Sequence, residues 1–238
     1  MKFLSLEPFI PSGNNESNSI TLKILKTMKI LFYITFMLAT TLETIAQSTV
    51  GIFENHLDIG NVLLKGQATF SNGVYTLSGS GENIWFKKDE LHFAYRKMSG
   101  DFMVTTQPTF VGKGTDLHRK TGWMARTSLD TSAAMIALTV HGDGLTAFQY
   151  RKKNGTNIEE VKTPISAPDI LQLERRGRSY FVSIAKIGNP FWTVEIPDFD
   201  FPQEMLVGIF ICSHNKNVTE QATLTDRKST RLNSSHVD

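Results

Sequence analysis

The sequence predicts an all-β protein whose core, residues 47–225, is a two-sheet antiparallel sandwich. Three observations carry that expectation. Short β-rich runs follow one another with turn signals between them. Three Asn-Gly or Asp-Gly dipeptides sit where tight hairpins need positive φ. No stretch of the core offers about a dozen residues of helical periodicity, so the alternating helices of an α/β fold have no source.

The elements follow in order. Ala68 to Phe70 and Val74 to Leu77 flank Asn72-Gly73 and read as a hairpin. Lys87 to Leu91 reads as one short turn. His92 to Lys97 and Asp101 to Thr106 read as strands, the second with Phe102, Val104 and Thr106 on one face and Asp101, Met103 and Thr105 on the other. Gly122 to Arg126 is next. Met135 to His141 and Leu145 to Lys152 flank Asp143-Gly144, and Asn154-Gly155 leads to Asn157–Val161. Ile170 to Arg175, Tyr180 to Lys186, Trp192 to Ile196 and Met205 to Ser213 complete the series, with Tyr180, Val182 and Ile184 forming one stripe. Pro197 and Pro202 bracket Asp198-Phe199-Asp200-Phe201 and predict an edge or a connecting loop, because proline cannot donate within a central strand. Internal repeats are absent, which argues against a propeller or solenoid.

The two ends read differently from the core. Residues 1–27 read as a disordered leader or an over-extended start. Residues 28–46 read as a signal peptide: Met28-Lys29, an apolar run from Ile30 to Leu42, and Ala46 at the cleavage position. That run is shorter than the roughly twenty residues a membrane span needs. Residues 226–238 begin Asp226-Arg-Lys-Ser-Thr-Arg-Leu-Asn-Ser-Ser-His236, which resembles the translation of a DNA sequencing adapter; on that reading the last strand is incomplete. The 25 basic and 23 acidic residues become equal in number once these ends are set aside. The electroneutral core removes the electrostatic support for nucleic-acid or anionic-membrane binding. The single cysteine, Cys212, lies in an apolar run and reads as a buried small hydrophobe. An exported, disulfide-free chain fits a bacterial periplasm or cell surface.

The order Gly100-Asp-Phe102, Gly122-Trp-Met-Ala-Arg126, Leu171-Gln-Leu-Glu-Arg175-Arg-Gly177 and Val207-Gly-Ile-Phe-Ile-Cys-Ser213-His214-Asn215 resembles a bacterial family of concanavalin A-like jelly rolls. The resemblance spans Gly51 to Leu224. It implies a lectin-like sandwich, suggests carbohydrate binding, and implies company with TolB-like propellers or glycan-related modules of the cell envelope. An envelope protein is therefore the second partner expected, and a glycoside hydrolase fragment the third reading.

Catalysis finds little support in the residues. Glucanases of this fold place two or three carboxylates along one strand, and the Glu-x-Asp-x-x-Glu pattern is missing. Glu195, Asp198 and Asp200 come nearest, across the proline brackets. Gly79-Ser80-Gly81 lacks the following helix of a nucleophile elbow. His56, His92, His118, His141 and His214 show no paired metal-ligand spacing. Asp116, Asp130 and Asp143 could serve a structural calcium but form no ligand run, so no cofactor is expected. Sugar recognition needs aromatic faces beside planar polar groups. Asn83, Trp85, Trp123 and Arg126 supply these types, as do His141, Asp143, Tyr150 and Arg151 on one hairpin, and His214 with Asn215 at a strand end. Both tryptophans are equally suited to filling the core, both arginines to a solvated face, and His141-Gly-Asp143-Gly to turn chemistry alone.

Overall fold

The computed structural model describes residues 25–29 and 49–226. Residues 25–29 form a single helical turn and are a unit apart from the core. The leader, the apolar run and the tail after Asp226 otherwise lie outside the described residues. Among the described residues no helix is long and apolar enough to cross a membrane.

Two seven-stranded antiparallel sheets make up the core. The strands are β1 (Asn55–Ile59), β2 (Gln67–Ser71), β3 (Val74–Gly79), β4 (Ile84–Trp85), β5 (Lys88–Asp89), β6 (Leu91–Ser99), β7 (Phe102–Val111) and β8 (Lys120–Arg126), followed by β9 (Met135–His141), β10 (Thr146–Arg151), β11 (Glu159–Lys162), β12 (Ile170–Arg176), β13 (Ser179–Ala185), β14 (Trp192–Ile196), β15 (Glu204–Cys212) and β16 (Glu220–Asp226). One sheet runs β1-β6-β15-β8-β9-β10-β11 and the other β14-β13-β12-β7-β16-β3-β2. The chain changes sheet repeatedly, so the central strands β6, β15, β7 and β16 come from distant parts of the sequence. This is the expected jelly-roll sandwich.

Alternation sets what each sheet buries. In β7, Phe102, Val104 and Thr106 point inward while the residues between them are half-exposed. Tyr180, Val182 and Ile184 of β13 face the same interior, as do Trp123, Ala125, Ile136, Leu138, Phe148 and Tyr150 from the other sheet. That interior needs no polar partner except where a ring carries one. Burial leaves Trp123 Nε1 and Tyr180 Oη without hydrogen bonds and pushes the Tyr180 phenol up to about 12.

Local expectations held unevenly. Asn72 and Gly73 both take positive φ (51° and 79°), as a type I′ turn requires. At Asp143-Gly144 and Asn154-Gly155 only the glycine does (89° and 72°), so these are wider connections. Asn154 instead spends its side chain on the Ala134 N–H at 2.7 Å. The expected turn at Lys87 to Leu91 is in fact strand: Ile84 pairs with Asp89 and Trp85 with Lys88 in a small hairpin. The segment between Pro197 and Pro202 is a loop, and it drops Phe199 into the interior.

Candidate functional site

The outer face of the β1–β11 sheet carries an apolar layer of its own. Residues alternating with the interior set, Phe93 and Tyr95 of β6, Met124 of β8, Met135 of β9 and Phe210 of β15, lie under Ile84 of the β4–β5 hairpin. Cys212 joins this layer as a buried small residue, its thiol pushed up to about 11 by burial.

The hairpin is fastened by charge. Asp89 is fully buried, and Arg151 grips it in two places, Nη1 to Oδ2 at 3.0 Å and Nη2 to Oδ1 at 2.9 Å. Arg126 Nη2 approaches the same carboxylate at 3.4 Å. Both guanidinium groups are also capped by carbonyls, Arg126 by Ser128 and Asp130, Arg151 by Thr156, Ala133 and Phe86. Burial and the neighbouring Arg151 lower Arg126 to about 10 against the opposing pull of Asp89. Arg126 and Arg151 were expected on a ligand-facing surface. Their place is on the outer sheet face, buried beneath the hairpin, because a hydrophobic hairpin can lie on a sheet face only if the charges under it are paired.

Beyond the hairpin the same face opens into a cleft of about 270 Å³. Its floor comes from alternate strand positions: Lys120 opposite His141 across β8–β9, and Gln149 opposite Glu160 across β10–β11. Trp85 and Asn83 form the hairpin wall. His118 and His214 enter from loops, and Lys162 and Leu145 complete the rim. On the other side of Trp85 a second hollow of about 500 Å³ is bordered by Phe86, Lys87, Lys88 and Asn157. Phe86 occupies the hairpin turn with φ of 48° and is 68% exposed. A bulky residue held in the left-handed region with its ring in water is costly.

The floor is chemically specific. Lys120 is 3% exposed; its Nζ donates to Asn83 Oδ1 at 2.7 Å and to the Ile84 carbonyl at 3.1 Å, and lies 5.6 Å from the Trp85 ring centre. Burial holds its pKa below the ordinary lysine value. His141 Nδ1 donates to the Leu145 carbonyl at 2.9 Å, leaving Nε2 as an acceptor; burial and then Lys120 bring the ring to about 4. Gln149 Nε2 donates to Glu160 Oε2 at 2.7 Å, while its Oε1 is buried without any partner. The His118 ring stands 6.2 Å from that of His141 and 5.4 Å from that of His214.

Of the ten expected site residues, Asn83, Trp85, His141 and His214 meet at this cleft. Trp123 and Tyr150 face the sandwich interior, because they occupy the opposite parity of β8 and β10. Asp143 lies exposed at the rim hairpin, where Oδ1 accepts from the Leu145 N–H at 2.9 Å. Asn215 closes its own turn through Ser213 and Asn217. Lys120, Gln149, Glu160, Lys162 and His118 also line the cleft, and Phe86 the hollow beside it, without having been expected there. For the first two a signal existed: Lys120 shares parity with Arg126, and Gln149 with Arg151, marking a polar stripe on one face.

Other chemistries are elsewhere. Glu195, Asp198 and Asp200 are exposed on the β14 edge and the following loop, with Asp200 paired to Arg178 at 3.2 Å. Asp116, Asp130 and Asp143 each accept a backbone N–H two residues on in their own turns. His56 and His92 lie 3.1 Å apart at the β1–β6 edge, with Asp58 2.7 Å from His92. Although three histidines converge at the cleft, no group of ligands able to hold a metal occurs among the described residues.

No family model matches the sequence, and no curated protein matches it either. Among solved structures, a functionally unknown protein from Saccharomyces cerevisiae is similar with a TM-score of 0.56 and 15% identity over 71% of this chain and 93% of that chain. Lectin II from Ulex europaeus has a TM-score of 0.46 and 10% identity over 73% of this chain and 96% of that one, a likeness too distant to carry an argument. What the first similarity shows is the sandwich alone.

Proposed function

We propose that this is an exported, non-catalytic glycan-binding domain, with its ligand seated in the cleft beside Trp85. The observation that carries the reading is the pairing of an indole wall with an unspent acceptor, His141 Nε2, among polar side chains on the floor. An acceptor left without a donor when a guest displaces water from the cleft costs about 1–3 kcal/mol, so the site favours a guest rich in hydroxyl donors. The indole favours a guest that also has an apolar face. A pyranose offers both. Glu160 is the one carboxylate on the 270 Å³ cleft, and sugar hydrolysis by the usual route needs two. This favours binding over cleavage.

A glycan array followed by calorimetry tests the reading. Trp85→Ala is expected to weaken binding by up to about tenfold, equivalent to the roughly 1.4 kcal/mol at the upper range for an aromatic contact. Trp123→Ala, in the interior, is expected to lower stability while the folded fraction binds normally. Absence of binding to every glycan, or equal affinity after Trp85→Ala, sinks the proposal.

A further inference from the structure

Four guanidinium or ammonium groups of the sandwich illustrate how this chain treats buried cations. Arg119 meets Glu220 at 2.6 Å, and Arg126 and Arg151 share Asp89. Arg175 donates to three backbone carbonyls, those of Gly177, Pro202 and Gln203. Lys120 is different. It is as buried as these and, like Arg175, has no carboxylate within ion-pair distance among the described residues, but its charge sits on one nitrogen with two neutral acceptors for three N–H bonds rather than being spread over a guanidinium. Unlike the arginines, it lines a cleft open to solvent.

Resting on the glycan reading above, we propose that the ligand is an acidic glycan and that Lys120 receives its anionic group, a carboxylate or a sulfate ester. A buried ammonium is stable only when compensated, and the protein leaves that compensation to the guest. Two features of the cleft agree. Glu160, the acid that could neutralise Lys120, has its Oε2 engaged by Gln149 instead, and a second cation, Lys162, stands on the rim without an ion pair among the described residues. The position of Nζ beside the Trp85 ring also places the anionic substituent next to the surface on which the sugar face lies. His141 Nε2 then meets a hydroxyl of the same residue or its neighbour. Burial lowers the lysine pKa by more than the nearby Cys212, Glu160 and Asp89 raise it, so the charge is only partly offset within the protein.

The test is a panel of acidic polysaccharide fragments, each beside its own neutralised form: uronate oligomers with their carboxyl-reduced products, and sulfated galactans with their desulfated products. Each acidic member that binds is expected to do so at least about tenfold more tightly than its partner, and to weaken as salt rises. The uronate and sulfate arms tell which anion is taken. Lys120→Met, with folding checked by thermal melting, is expected to bring the ratio close to one. Since Lys120 also ties down Asn83 and Ile84, the wild-type ratio and its salt dependence stand as evidence that needs no variant. Equal binding of acidic and neutral forms overturns the inference and leaves the glycan reading standing. A preference that survives Lys120→Met overturns the assignment to Lys120. Binding to no member overturns the inference, and the glycan array then decides separately whether the reading beneath it stands.

Discussion

Asp89→Asn is the sharpest test of how the cleft wall is held. The substitution preserves shape, but it removes the only carboxylate that Arg126 and Arg151 share. An amide also turns a donor toward guanidinium groups that can only donate. All three side chains are fully buried, so water cannot replace the lost charge. Removing one partner of a buried pair costs about 3–5 kcal/mol. The five carbonyls around the two guanidinium groups soften this, and the lower half of that range is expected. For a domain of this size a loss of that order lowers the melting temperature by roughly 6–15 °C. Urea and thermal denaturation followed by circular dichroism measure it. The triple replacement Asp89→Leu, Arg126→Met, Arg151→Met supplies the control. If the ions stabilise only by neutralising one another, the triple variant loses less than Asp89→Asn alone. A loss below about 1 kcal/mol for Asp89→Asn, or a triple variant clearly worse than the single, refutes the account.

Two further predictions concern the cleft. His141 is held near 4 against its ordinary 6.5, so its neutral form contributes stability that is fully present above about 6.5 and is lost as pH falls toward 4. His141→Gln should flatten the stability profile across that window by about 3 kcal/mol, read from urea midpoints at each pH; an unchanged slope contradicts the assignment. Phe86→Asn should raise stability by about 1 kcal/mol, since asparagine accepts the positive φ, and should weaken binding of the longer glycans that reach the second hollow. A variant less stable than the parent counts against strain at Phe86.

How much of this was legible beforehand depends on where each property is encoded. Strand identity lies in local pattern, and the expected bounds of β9 and β14 match the structure to the residue because both are rich in branched and aromatic side chains. β4 and β5 were missed because two-residue strands carry no period, and their pairing is dictated by a charge on β8 and another on β10. The site fared similarly. Trp85, Asn83, His141 and His214 stood out by residue type. Whether Arg151 or Gln149 faces ligand depends on which part of the outer face the hairpin covers, and nothing within β10 records that. Likewise Trp123 and Lys120 sit three residues apart on one strand, and parity sends one to the interior and the other to the cleft.

The buried Arg–Asp–Arg clasp has a kinetic consequence. A partition locked to the sheet from beneath has nothing to swing, so on the proposed glycan-binding reading the cleft holds its capturing shape before a sugar arrives. Little ordering of the loop remains to be done on encounter. Congeners should therefore associate at similar speeds and differ in how long they stay, with discrimination written in dissociation rates.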